Sequence, residues 1–120
     1  MNDRISITML EDGIADVRMT RVDKMNALDA TQWAALVDAI DTLNATPGLR
    51  VVVLSGEGRA FCAGLDLSSL QSERDPGASS AGGTLSDRTR GISNNAQYAA
   101  WGWRELPVPV IAAVPGVAFG

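Results

Sequence analysis

Between residues 29 and 54 the hydrophobic period of the chain changes from helical to extended, and that change restricts the fold more than any other feature. Asp29 stands three residues before Gln32 in a capping-box-like spacing, and Trp33, Leu36, Val37, Ile40 and Leu43 follow on one helical face. This predicts an amphipathic helix over about 30–45. Pro47-Gly48 stops it, and Arg50 then leads into the unbroken apolar run Val51-Val52-Val53-Leu54. Such a run predicts a strand covered on both faces, as parallel strands are. Upstream, two alternating segments, Ile5–Leu10 and Ile14–Met19, flank the turn residues Glu11-Asp12-Gly13 and predict a hairpin. A helix carried between strands implies a βαβ crossover.

Downstream, residues 72–86 are Ser, Gly, Ala, Asp and Pro with hardly a large apolar side chain, so they predict a flexible loop. Helical spacing returns with Ile92, Ala96, Ala99, Ala100 and Trp103, predicting a second helix over about 87–106, with Trp103 facing the core. Pro107 and Pro109 bracket its end. Val110–Val114 predicts another buried strand, closed by Pro115-Gly116. The order gives an α/β fold in one domain, residues 1–120. The turns after its two parallel-type strands should lie at one edge of the sheet, where open α/β folds bind ligands.

Charge and composition exclude several classes of function. A net charge of −4 with no Lys/Arg cluster argues against nucleic acid as a partner. No apolar run approaches the length of a membrane span, and the N-terminus lacks the pattern of a signal peptide, so no membrane partner is expected. The single cysteine, Cys62, cannot form an internal disulfide, which fits a reducing, cytoplasmic setting. Histidine is absent, removing Ser-His-Asp and Cys-His catalysis and every His-ligated metal site. No metal is expected.

The segment carrying chemistry is Arg59-Ala60-Phe61-Cys62-Ala63-Gly64-Leu65-Asp66-Leu67. It reads as a tight turn leading from a strand into a helix, where peptide N–H groups without intrahelical partners can hold an oxyanion. The same residues also suit a purely structural turn, with Gly64 permitting the backbone, Leu65 packing and Asp66 capping. Asp66 at a helix N-terminus is held ionised and makes a weak base, and Cys62 reads as a small buried apolar residue. Lys24 suits either a solvated loop or a phosphate contact.

Four segments in this order resemble the crotonase family, also called the enoyl-CoA hydratase/isomerase family. They are Arg21-Val22-Asp23-Lys24-Met25-Asn26-Ala27-Leu28, Val52–Gly56, Ala60–Leu67 and Pro107–Gly120. The resemblance covers nearly all of this chain and about the N-terminal half of a typical member. It implies a crotonase-like fold (the ClpP/crotonase ββα spiral) of which this chain is the N-terminal part. It also implies an acyl-CoA thioester as substrate, with two backbone N–H groups holding the thioester oxygen as an enolate forms.

Carried over by residue, the resemblance makes the Leu65 N–H the first donor. The second comes from the turn that Gly120 begins, at the residue after it. Lys24, Met25 and Ala27 match the segment lining the nucleotide end of the ligand, Ala63, Asp66 and Leu67 match positions around adenine and pantetheine, and Gly116 belongs to the second strand exit. Pro115 departs from the family, where Asn is frequent. The implied activity is enoyl-CoA hydration or isomerisation in fatty acid metabolism, with no cofactor beyond the coenzyme A of the substrate. By itself this chain is expected to be inactive. A noncatalytic acyl-CoA-binding homologue and other crotonase chemistries (thioester hydrolysis, decarboxylation, dehalogenation) stay open, and full-length members form homotrimers or hexamers.

Overall fold

A computed structural model describes residues 4–67 and 95–119. Strands β1 (Ile5–Met9) and β2 (Ile14–Met19) form the predicted antiparallel hairpin, with Ile5 opposite Met19 and Met9 opposite Ala15. Helix α1 (Ala30–Asn44) crosses over to β3 (Val51–Gly56), which lies parallel to β2. The Asp29 side chain caps α1 by accepting the Gln32 N–H at 2.8 Å. A short strand β4 (Ala60–Cys62) follows, then helix α2 (Asn95–Glu105), β5 (Val110–Ala112) and β6 (Val117–Ala118). The main sheet runs β1-β2-β3-β5, while β4 and β6 pair in parallel as a second, two-stranded sheet.

Register places Ile5, Ala15, Val17, Met19, Val52 and Leu54 on one face of the main sheet, where they are buried against Leu36, Ala39, Ile40 and Leu43 of α1 and Trp103 of α2. Alternation in β2 and β3 follows from that single cover: inward residues are buried and Asp16, Arg18 and Ser55 face the other way. Burying one branched or aliphatic side chain is worth about 1.5–3 kcal/mol, so this face orients the crossover.

Three expectations change. β3 is not covered on both faces: among the described residues Val52 and Leu54 are buried while Val51, Val53 and Ser55 on the other face are only partly so. β5 is not a buried strand: it lies at the sheet edge, and Ile111 is 56% exposed because the helices among the described residues cover only the opposite face. Nor does the chain pass from β3 straight into the turn that opens a helix. It first forms β4 in the second sheet, which three residues carry with no readable period. The loop expected at 72–86 and residues 87–94 of the second predicted helix lie outside the described residues. Among the described residues no helix is long and apolar enough to cross a membrane.

Candidate functional site

The turn after β4 hangs on the segment 25–28 by three backbone bonds. The Ala63 N–H donates to the Met25 carbonyl at 3.0 Å, the Leu28 N–H to the Gly64 carbonyl at 2.8 Å, and the Asp66 N–H to the Leu28 carbonyl at 2.9 Å. The last two bonds make Leu28 and Leu65 a parallel bridge. In such a bridge one residue spends both its backbone groups on the neighbours of the other, whose own N–H and C=O point away. Here Leu28 is spent and Leu65 is not. The Leu65 N–H donates to no acceptor among the described residues, and Leu65 is 38% exposed. Gly64, at φ +90°, supplies the left-handed step that this reversal needs.

The supporting segment is itself unusual. Val22–Lys24 forms a 3-10 turn, and Met25 (φ +53°) and Asn26 (φ +57°) then sit consecutively in the left-handed region. Each such residue costs on the order of 1–3 kcal/mol unless its surroundings enforce it. Asn26 provides much of that enforcement. Fully buried, it accepts the Arg21 N–H at 2.9 Å through Oδ1 and donates through Nδ2 to the Ala60 carbonyl at 3.0 Å and the Glu57 carbonyl at 3.3 Å. Its amide therefore ties the 21–28 segment to the β3–β4 connection.

A line of alternating charges runs beneath the turn. Arg4 grips Asp29 with two bonds of 3.0 and 3.1 Å, Arg21 Nη2 lies 3.3 Å from Asp29 Oδ2, and Arg21 Nη1 lies 2.9 Å from Asp66 Oδ2. Burial pushes the Asp29 carboxyl up, but the Gln32 N–H and the Arg4 and Arg21 guanidiniums together outweigh it and hold the group below its ordinary value. Asp66 thus reaches back to Arg21, and a carboxylate so engaged is poorly placed as a base.

The other expected residues divide into two places. Met25, Ala27, Ala63 and Leu65 converge on the turn, with exposed Lys24 beside them and without an ion-pair partner among the described residues. Leu67 is exposed at the last described position before residue 95. Gly116 lies elsewhere, just before β6 and bridged to Ala60 of β4, where φ +58° lets the chain pass so close to the Arg59 carbonyl that a Cβ would overlap it. The far end of the same pairing approaches the turn: the Phe119 N–H donates to the Cys62 carbonyl at 2.9 Å. Gly120 lies outside the described residues.

An apolar groove of about 620 Å³ lies against the turn's flank, lined by Leu28 and Cys62 together with Trp33, Leu36, Trp103 and Val108. Cys62 is buried and unpaired, and its sulfur accepts the Gly64 N–H at 3.4 Å. Trp103 is core, as its spacing predicted, whereas Trp101 is partly exposed and donates to Glu105 at 2.7 Å. Sequence reasoning gave no role to Arg21 or Asn26. The one available signal was Asn26 itself, a residue suited to left-handed turns.

The sequence model described as enoyl-CoA hydratase/isomerase matches residues 9–120. The chain is 35% identical over 114 residues to hydroxycinnamoyl-CoA hydratase-lyase of Pseudomonas fluorescens, covering 92% of this chain and 38% of that protein. It is 27% identical over 118 residues to the mitochondrial delta(3,5)-delta(2,4)-dienoyl-CoA isomerase of Mus musculus, covering 98% of this chain and 36% of that protein. A solved Pseudomonas aeruginosa protein superposes with a TM-score of 0.71 at 34% identity, over 95% of this chain and 46% of the other. The chain therefore spans less than half the length of each of these proteins.

Proposed function

This chain belongs to the enoyl-CoA hydratase/isomerase family, and we propose that the protein it forms acts on an acyl-CoA thioester, hydrating an enoyl-CoA double bond or shifting it. The carrying observation is the Leu65 N–H, left unspent by the Leu28 bridge and turned outward at Gly64. In hydration, a water molecule gives up one proton to a base as its oxygen bonds to Cβ, the π electrons move through the thioester onto its oxygen, and the enolate then takes a proton back at Cα. In isomerisation, loss of a proton forms the enolate and its return at another carbon moves the double bond. Either way negative charge gathers on one oxygen, and a fixed amide there needs no solvent reorganisation. One such donor is worth about 2.7–4 kcal/mol in the transition state.

In this reading the second donor follows Gly120, and the groove beside Leu28 and Cys62 takes the acyl chain. Lys24 meets a phosphate of the nucleotide, with Met25, Ala27, Ala63, Asp66, Leu67 and Gly116 along the rest of the ligand. The coenzyme A of the substrate is the only cofactor the chemistry requires. A cytoplasmic, trimeric or hexameric protein completes the proposal; the unpaired Cys62 supports a reducing compartment, although the name of the mouse relative places that protein in mitochondria.

The test is incubation of a protein of its relatives' full length that carries this chain with a 2-enoyl-CoA and a 3-enoyl-CoA, reading products by mass and by loss of conjugation. Formation of a hydrated or double-bond-shifted thioester is expected. Absence of both turnover and thioester-dependent binding would overturn the proposal. Engagement of Asp66 by Arg21 favours one second reading, an acyl-CoA-binding protein without chemistry, for which binding would persist and turnover would be absent.

A further inference from the structure

We propose that Arg21 is a positioning residue that fixes the direction of the Leu65 N–H, acting through Asp66 on one side of the Leu28–Leu65 bridge and the Ala27 carbonyl on the other. The inference rests on the reading of Leu65 as a thioester-oxygen donor. Its geometric basis is a single atom. Arg21 Nη1 lies 2.9 Å from Asp66 Oδ2 and 2.9 Å from the Ala27 carbonyl oxygen. Asp66 directly follows Leu65, and Ala27 directly precedes Leu28. One guanidinium nitrogen therefore holds both strands of the bridge at the point where they set the donor.

The rest of the guanidinium is anchored away from the site. Nη2 faces Asp29, which caps α1 by accepting the Gln32 N–H at 2.8 Å. The direction of the Leu65 N–H is thereby referred to helix α1 rather than to a free loop. The Arg21 and Asp66 side chains are each only 12% exposed, so salt screens the pair weakly. A planar fork with several fixed donors can serve two acceptors and a second carboxylate at once, whereas a lysine ammonium is a point charge on a flexible stem. A displacement of about 1 Å at a reacting centre can cost about 100-fold in rate, so the direction of a donor matters as much as its presence.

A purely structural salt bridge makes a different prediction. Arg4 pairs with Asp29 at 3.0 Å in the same charge line, whereas it is Arg21 that holds the Asp66 carboxylate and the Ala27 carbonyl. The experiment compares Arg21→Gln, Arg21→Lys and Arg4→Gln in the protein of full length, measuring kcat and KM for an enoyl-CoA, thermal midpoint, and the ¹⁵N–¹H signal of Leu65. Arg21→Gln should lower kcat about 10–100-fold with KM within about threefold, Arg21→Lys should recover part of it, and Arg4→Gln should leave kcat within about twofold. The Leu65 amide signal should move in Arg21→Gln and not in Arg4→Gln.

Equal kcat in Arg21→Gln and Arg4→Gln, or a change confined to KM, would overturn the assignment. If Arg21→Gln does not fold, Asp66→Asn tests the same contact: it keeps an oxygen near Nη1 while removing the charge, and should lower kcat in the same sense. Wild-type kcat in that variant would also sink the proposal. A wild-type protein that neither binds nor converts a thioester would remove the reading of Leu65 itself, a result distinct from an active wild type whose Arg21 variants are equally active.

Discussion

Replacing Asn26 with Ala should unfold the site's support at a calculable cost. Three hydrogen bonds are lost, to the Arg21 N–H and to the Ala60 and Glu57 carbonyls, at about 1 kcal/mol net each. Asn26 is fully buried at φ +57°, and forcing Ala into that conformation without a local polar side chain adds about 1–2 kcal/mol. The expected loss is about 4–5 kcal/mol. At about 0.05–0.15 kcal/mol per residue, a chain of 120 residues holds on the order of 6–18 kcal/mol, so the variant forfeits a large share. In urea, with m near about 2 kcal/mol/M, the midpoint should fall by about 2 M. Asn26→Gly separates the two causes: it loses the same hydrogen bonds but accepts positive φ freely, so it should be about 1 kcal/mol more stable than Asn26→Ala. An Asn26→Ala variant within about 1 kcal/mol of wild type, or a Gly variant no better than the Ala variant, would refute the reasoning.

Leu65→Pro removes an N–H that no bridge bond uses, so kcat should drop by about 100–1,000-fold, whereas Leu65→Ala should cost far less; equal losses in steady-state assays would count against the backbone donor. Gln32 is fully buried with both side-chain amide atoms unpartnered among the described residues, so Gln32→Met, which keeps the backbone N–H to Asp29, should raise stability by up to about 1–3 kcal/mol in thermal melts. A comparable fall would mean the amide has a partner inside. Because Asp29 titrates below its ordinary 3.8, its contribution is fully present above that pH and is lost as pH falls through the lower folded-state value. Denaturation midpoints measured from pH 5 downward should therefore decline less steeply in Asp29→Asn, and parallel profiles would contradict the ion-pair account.

The elements with repeated spacing were readable from the residues alone. Trp33 to Leu43 announced α1 because a buried stripe must recur at helical period, and Asp29 announced its start because a cap acts within three residues. The strands of the hairpin and β3 were readable for the same local reason. β5 misled because an apolar run reports affinity for a cover and not whether a cover is present. β4 and β6 were missed because three and two residues carry no period. At the site, Gly64-Leu65 was legible as a turn, and its place in the resemblance supplied a role. Arg21 and Asp66 were not legible as a pair. A charge has no signature of its partner when that partner lies in another segment, and the left-handed pair Met25-Asn26 becomes visible only once the backbone is traced.

The pairing of β4 with β6 also bears on the order in which this molecule comes together. Its two strands come from distant parts of the chain and hold few bonds of their own, so the entropy of closing the intervening loop is recovered only after the larger sheet has brought them near. The small sheet should therefore be a late event in folding, absent from the nucleus that α1 and the hairpin can build locally. A chain arrested before that step would keep most of its helical signal while its turn at residues 63–66 still lacked the neighbour at Phe119, so slow maturation of ligand binding could trail the recovery of secondary structure during refolding.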